Sequence, residues 1–422
     1  MNPNQDYYIY TKNHCDLRSK HKKVLITTFS RSSLGHMMRA IAIGLELQKR
    51  SHDVLLACAE ETLYLPKSYG LNCVKVHELE PMPLWSKMNR EVDLSEITKK
   101  RLASKNYIEK CMIDDTTLIN QFKPDVVLHD MRITSGVSAK LANIPSISLN
   151  NIKLFNFPLS TVIPLVIDQM KVMGISESAI KHIFGDVVVI PDFSNFEPMC
   201  HIPKGIMEII NESVKEIYYC GPLMTIYPSQ LPKKKILKKN LTSNSDAPLL
   251  YITFGGSPSG KEYLISVLKG LAKISANIVV STGNNIPIND IKEVVSEIKS
   301  LNTNVSVKVA QHFENSIEIM KSADLAITHG GHGTLMEGIF SGTPQIIIPH
   351  NNEQLDNAKR CLKMNVGEIL EKDNVQITIQ KMVERMLADK KIQNACEEVS
   401  SKMAHFKGTE NLANFIENRL TY

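Results

Sequence analysis

No two of the eight cysteines form a Cys-x-x-Cys pair. Cys15, Cys58, Cys73, Cys111, Cys200, Cys220, Cys361 and Cys396 are scattered, so the spacing of a zinc site is missing. Long apolar runs are missing too. The longest uncharged stretch, Leu154 to Ile167, is shorter than a bilayer span and carries Pro158 and Pro164. The first residues are polar and hold no apolar signal core. These absences lead us to expect a cytoplasmic protein with reduced cysteines, no metal, no cofactor and no stable membrane insertion. Excess charge is scarce as well. A net charge of +5 over 422 residues permits an anionic small ligand and gives no reason to expect a nucleic-acid partner.

What is present is a repeated alternation of strands and helices. Lys23 to Phe29 reads as a buried strand, and a small-residue loop, Ser30 to Gly35, follows. Met37, Ile41 and Leu45 then fall four apart, as on one face of a helix. Asp53 to Ala57 is the next strand, which completes a βαβ unit and predicts a parallel sheet. The pattern recurs at Asp125 to Leu128 and Pro145 to Leu149, and Asp186 to Ile190 is a further strand. A second series starts at Leu249 to Phe254, ending in Gly255, Gly256 and Ser257. It continues at Asn277 to Ser281, Asp324 to Thr328 and Gln345 to Pro349. Each run ends in a small or polar loop, where ligands bind in open α/β sheets.

The spacing predicts five parts. Residues 1–21 form a flexible arm, 22–225 a first α/β domain, 226–247 a linker, 248–405 a second α/β domain and 406–422 a last helix. Five lysines between 233 and 239 belong either to a solvated linker or to a surface that meets anionic lipid. Leu412, Phe415, Ile416 and Leu420 share one face of the last helix, which therefore packs on something. Two α/β halves imply a cleft between them that can hold two substrates.

The most informative segment is His329-Gly330-Gly331-His332-Gly333-Thr334, between a strand and a helix. Gly331 and Gly333 let the backbone approach a ligand, and free N–H groups at a helix start favour anions. A diphosphate suits this turn, with Thr334 donating its hydroxyl and His329 a ring N–H that stabilises leaving-group charge. The same residues also read as a glycine turn with Thr334 as helix cap and Glu337 as its capping-box partner.

The stretch Phe313 to Asp324, then Ile327 to Glu337, Gly342-Thr-Pro344, Pro349, Glu353-Gln354 and Asn357 resembles the donor signature of glycosyltransferase family 1. That family includes the bacterial macrolide-type and the plant and animal uridine-diphosphate glycosyltransferases. The resemblance is close over residues 309–360 and poor over 60–120. It implies a GT-B fold: two Rossmann-like, doubly wound parallel-sheet domains facing an interdomain cleft. It implies that His329 contacts the diphosphate, that Thr334 supplies a hydroxyl, and that Glu337 binds ribose. Glu353 and Gln354 would hold the sugar. Phe313 stands where the family stacks a tryptophan on the base, and is otherwise a core side chain. Ser316 replaces a glutamine of the family pattern. Gly255 and Ser257 complete the expected donor site.

The family's catalytic base is a histidine just after the first strand, which falls on His36, and its partner aspartate falls on Asp130. Each also has a structural reading, as a helix-start histidine and a helix N-cap. His129, one residue earlier on the strand, should point the other way. A proline usual a few residues after the base is absent; the helix runs Met37-Met-Arg-Ala-Ile41. The resemblance thus implies an inverting, metal-independent transfer of a hexose from a UDP- or dTDP-sugar to a small, natural-product-like acceptor hydroxyl. Phe155, Phe157, Met170 and Met173 are candidate acceptor contacts or, equally, core residues. Three alternatives share the scaffold: a lipid-intermediate transferase of cell-wall type, a nucleotide-sugar epimerase and a non-catalytic nucleotide-sugar-binding helper.

Overall fold

The computed structural model describes residues 21–31, 34–78, 106–150, 159–194, 196, 204–242, 244, 246–255, 260–283, 286–313 and 315–419. The first half holds β1 (Lys23–Thr28), β2 (Asp53–Cys58), β3 (Cys73–Lys75), β4 (Val126–Asp130), β5 (Ser146–Leu149), β6 (Val187–Ile190) and β7 (Glu216–Tyr219). They form one parallel sheet in the order β3-β2-β1-β4-β5-β6-β7. The second half holds β8 (Leu249–Thr253), β9 (Asn277–Ser281), β10 (Ser306–Ala310), β11 (Leu325–Thr328), β12 (Gln345–Ile347) and β13 (Gly367–Ile369). These are also all parallel, in the order β10-β9-β8-β11-β12-β13.

Helices cover both faces of each sheet, so the central strands are buried on both sides and read as apolar runs. Val24, Leu25 and Ile26 of β1 and Leu249, Leu250 and Ile252 of β8 are fully enclosed. Strand order reverses between β1 and β4 in one sheet and between β8 and β11 in the other. At such a switch point the flanking connections leave in opposite directions and open a crevice at the strands' carboxyl ends. Asp130 ends β4, His36 lies in the first turn of the helix after β1, and Gly255 and His329 follow β8 and β11, so each candidate site lies at the switch point of its own sheet.

The chain crosses between the halves twice. The segment after β7 leads into the second half, and the last helix, Gly408–Arg419, returns to the first. Leu412, Ala413, Phe415 and Ile416 pack into the core that contains Met37, Ile41 and Leu56, so this helix completes the N-terminal half. The crossings are joined. The Thr409 hydroxyl donates to the Met224 carbonyl (3.0 Å), and the Thr409 N–H donates to the Tyr227 hydroxyl (2.9 Å). Asn411 Nδ2 donates to the Cys220 carbonyl (2.9 Å). A Cβ on Gly221 would stand 3.4 Å from the Gly408 Cα, so the two crossings touch backbone to backbone.

The expected linker is more ordered than its composition suggests. Lys234–Leu241 is a helix with Leu237 buried, and Lys234 and Lys238 both pair with Asp324 (3.0 and 2.7 Å). Charge runs are usually solvated, but here lysines four apart share one carboxylate and dock the helix on the second half. Among the described residues no helix is long and apolar enough to cross a membrane.

Candidate active site

In the first half, β1 and β4 are neighbours in register, with Thr28 beside Asp130. The helix Leu34–Lys49 starts at the loop after β1 and sets His36 in its first turn. Its Nδ1 lies 2.8 Å from Asp130 Oδ1. The carboxylate is fully buried and His36 is 6% exposed, so water does not compete for this contact. Burial alone would raise the Asp130 carboxyl; the positive charge of Arg39 and the contact with His36 outweigh it and hold the group below its ordinary range. His129 does point the other way, as strand alternation requires: positions beside its Nε2 belong to Gly136 and Gly185. Burial pushes its imidazole down to about 4.

Two braces hold these loops. The buried carboxylate of Glu78 accepts from Ser30 N–H (2.8 Å), Ser30 Oγ (2.7 Å), Arg31 N–H (3.0 Å) and Ala59 N–H (2.9 Å), which ties the loop after β1 to that after β2. Beyond Asp130 the chain turns through Met131 at φ 63°, a left-handed conformation that costs a side-chain-bearing residue about 1 kcal/mol or more. It is held there by Arg132 Nε donating to Asp115 Oδ1 and Thr134 Oγ1 donating to Oδ2, both at 2.7 Å.

In the second half, β8 and β11 pair with Thr253 beside Thr328. The His329 ring lies against Gly255 and Gly331. A Cβ would come within 2.8 Å of its Cε1 at Gly255, where φ is 65°, and within 2.6 Å of its Nε2 at Gly331. Only glycine leaves room for the ring at both places. Burial pushes the His329 imidazole down to about 4, against a weaker opposing effect of the Thr253 backbone, so the ring is neutral at pH 7. Among the described residues its buried Nδ1 has no hydrogen-bond partner.

The following helix is His332–Ser341 with Gly331 as N-cap and no side-chain cap. Thr334 therefore sits inside the first turn and is not the cap its sequence allows. The N–H groups of this turn lack intrahelical acceptors, as at every helix start. Glu337, one turn on, is raised to about 7 by burial and lies within electrostatic reach of the enclosed Tyr251. Phe313 is half-buried on the cluster that contains Tyr251 and Met320.

Glu353 and Gln354 open the helix Asn352–Lys363, whose cap Asn351 accepts from the Gln354 N–H at 2.9 Å. Their side chains brace the glycine turn. Asn357 Nδ2 donates to both Glu353 Oε1 (2.9 Å) and the Gly330 carbonyl (3.1 Å), and Gln354 Oε1 accepts from the His350 N–H (2.7 Å). Burial pushes the His350 imidazole down to about 3, and the ring stacks on Phe254 and Tyr263, 6.2 Å from His329. Between the halves, His332 Nε2 stands 3.8 Å from Oδ2 of the buried Asp192, which follows β6.

The structure thus brings together His36 with Asp130, and Gly255, His329, Gly331, Gly333 and Thr334 with Glu337, Glu353 and Gln354. Ser257, Phe155 and Phe157 lie outside the described residues. Met170 is fully enclosed among Ile108, Val166 and Ile180, so it is a core side chain rather than an acceptor contact, while Met173 is exposed just past the end of the same helix. Arg39 and His350 are additions from the structure. Among the described residues no group of three His, Cys, Asp or Glu side chains is placed to hold a metal ion.

Two parallel-sheet halves, each with a polar site at its switch point, make up the GT-B fold. Residues 251–412 match the Glycosyltransferase family 28 C-terminal domain, and the chain is a glycosyltransferase. Over 410 residues the chain is 22% identical to the NDP-glycosyltransferase YjiC of Bacillus subtilis, covering 94% of this chain and 97% of that one. It is 24% identical over 257 residues to an uncharacterized glycosyltransferase of Methanopyrus kandleri, covering 60% of this chain and 65% of that protein, just under two thirds of its length. Among solved structures, the glycosyltransferase of kitacinnamycin superposes with a TM-score of 0.70 at 16% identity, over 96% of this chain and all of that one. A Streptomyces sp. SF2575 glycosyltransferase complexed with thymidine diphosphate gives 0.62 at 18% identity, over 94% and 99%.

Proposed function

We propose that this enzyme, acting in the cytoplasm without a metal, moves a hexose from a UDP- or dTDP-sugar to a hydroxyl of a small, natural-product-like acceptor, with inversion. The observation that carries the reading is the buried His36–Asp130 contact at one switch point combined with the glycine-seated His329 at the other. The thymidine diphosphate bound by the Streptomyces relative supports a nucleotide at the second site.

Asp130 orients His36 through Nδ1, leaving Nε2 to take the acceptor hydroxyl's proton. The acceptor oxygen attacks the anomeric carbon as the bond from that carbon to the diphosphate oxygen breaks, and the nucleoside diphosphate leaves with the electron pair. His329, Thr334 and the helix N–H groups take up its charge, a task a metal performs elsewhere. Glu337 accepts from the ribose hydroxyls, Glu353 and Gln354 hold the sugar, and Phe313 stacks on the base.

The test is calorimetric titration of the purified protein with uridine and thymidine diphosphates, with and without chelator. Turnover of the matching sugar donors against a panel of hydroxylated acceptors follows. Binding that survives chelator, and transfer that falls by roughly 10²- to 10⁴-fold in His36→Asn and Asp130→Asn, is the expected result. Absence of binding to every nucleoside diphosphate would sink the reading.

A further inference from the structure

Arg39 stands one helical turn after His36, in the stretch where family resemblance leads one to expect a proline. Its side chain reaches the same carboxylate. Nε donates to Asp130 Oδ2 at 3.0 Å and Nη2 to Oδ1 at 2.8 Å, a two-pronged grip. The same Nη2 lies 2.7 Å from His36 Nδ1. Arg39 is 9% exposed, so all three groups sit away from bulk water.

We propose that Arg39 is a positioning residue of the His36–Asp130 pair: it clamps the carboxylate in one orientation and keeps the imidazole neutral. What the imidazole then does rests on the transferase reading; the clamp itself does not.

Arg39 alone gives each carboxylate oxygen one N–H bond, Nη2 to Oδ1 and Nε to Oδ2, which fixes the orientation of the buried group. Nδ1 of His36 stands between the two: with a proton it donates to Asp130 Oδ1, and without one it accepts from Arg39 Nη2. The charge count decides between the neutral and the protonated ring. Asp130 and Arg39 cancel, so protonating His36 would create a net positive charge beside a guanidinium. A His–Asp pair alone would be neutral in that state. A like charge at this range disfavours the protonated imidazole.

Among the described residues the charged neighbours are Asp130 from β4 and Arg39 from the same helix. Beyond Arg39 lie Cys220, after β7, and Asp192, after β6, both within electrostatic reach of one another. His129 adjoins Asp130 along the strand and stays neutral on the opposite face. Arg39 is thus the only cation in direct contact with Asp130 among these groups.

The full chain, labelled with ¹⁵N-histidine, tests this by long-range proton–nitrogen correlation spectra across a pH series, with His36→Asn assigning the resonance. In the wild type the His36 signal at pH 7 should be that of a neutral imidazole. In Arg39→Gln its protonation midpoint should rise by about one pH unit or more, while Arg39→Lys, which keeps the charge, should stay near the wild type. An unchanged midpoint in Arg39→Gln overturns the proposal. So does a wild-type imidazolium at pH 7, which needs no variant and stands even if Arg39→Gln fails to fold. Expected spectra alongside absent sugar transfer would leave the clamp intact and discard the transferase reading instead.

Discussion

Replacing Glu337 by glutamine should remove a pH-dependent weakness from the second half. The carboxyl is raised by burial from an ordinary 4.5 to about 7. Because the folded value is the higher one, the proton is held more tightly by the folded chain than by the unfolded one. The stability associated with it is complete below about 4.5 and is lost as pH rises through about 7. At about 1.4 kcal/mol per pH unit, that window amounts to about 3 kcal/mol. The assay is urea unfolding followed by circular dichroism, on wild type and Glu337→Gln, from pH 4 to 8. Other groups titrate in both proteins and cancel in the difference. Relative to the variant, the wild type should lose about 3 kcal/mol between pH 4.5 and 7, and the gap should then stay constant. Parallel curves across the whole range would show an ordinary carboxyl and refute the burial argument. Above pH 7, where Glu337 is ionised and acceptor-only, the same variant should bind nucleoside diphosphate more weakly if the carboxylate takes the proposed contact with the ribose hydroxyls.

His329→Ala should raise the dissociation constant for uridine or thymidine diphosphate by roughly 10- to 100-fold, read by calorimetry. Gly331→Ala should do the same without touching the imidazole, because its Cβ would stand 2.6 Å from Nε2 and displace the ring. Phe313→Ala should weaken the same binding by roughly 3- to 10-fold if the ring stacks on the base; unchanged affinity would make it a packing residue alone. Leu412→Ala, in a fully enclosed position of the first core, should cost about 2 to 5 kcal/mol in unfolding. Hydrogen exchange should locate that loss in the first sheet, and a loss confined to the second sheet would contradict the packing of the last helix.

The central strands are legible in the sequence because strands buried on both faces must be continuously apolar. The edges are not. β3, β7, β10 and β13 are short or half-exposed, and a pattern such as Ser306 to Ala310 carries too little apolar contrast to stand out. The pairing of His36 with Asp130 is legible only through the family resemblance, because β1 and β4 are neighbours in the sheet but not along the chain. Arg39 was invisible for a different reason. A basic residue on a helix normally faces water, and nothing along the chain reveals that this one turns toward a buried carboxylate ninety-one positions away. The same holds for Asp324, whose partners Lys234 and Lys238 belong to a run that reads as solvated. Met170 reads alike as ligand contact or core, since both fates select an apolar side chain; only its enclosure decides.

The return of the last helix to the first half makes the second half an insert. The chain leaves the first half at Gly221 and re-enters it at Gly408, and those two glycines lie in contact. Residues 222–407 are therefore a cassette with both ends at one point. A second half from another enzyme of this fold can be exchanged as a single block through two adjacent joints, leaving the first half's sheet and core undisturbed. Conversely, a cut at only one joint separates the last helix from the core it fills. Exchanges designed as a simple front-and-back splice should fail where the two-joint exchange folds.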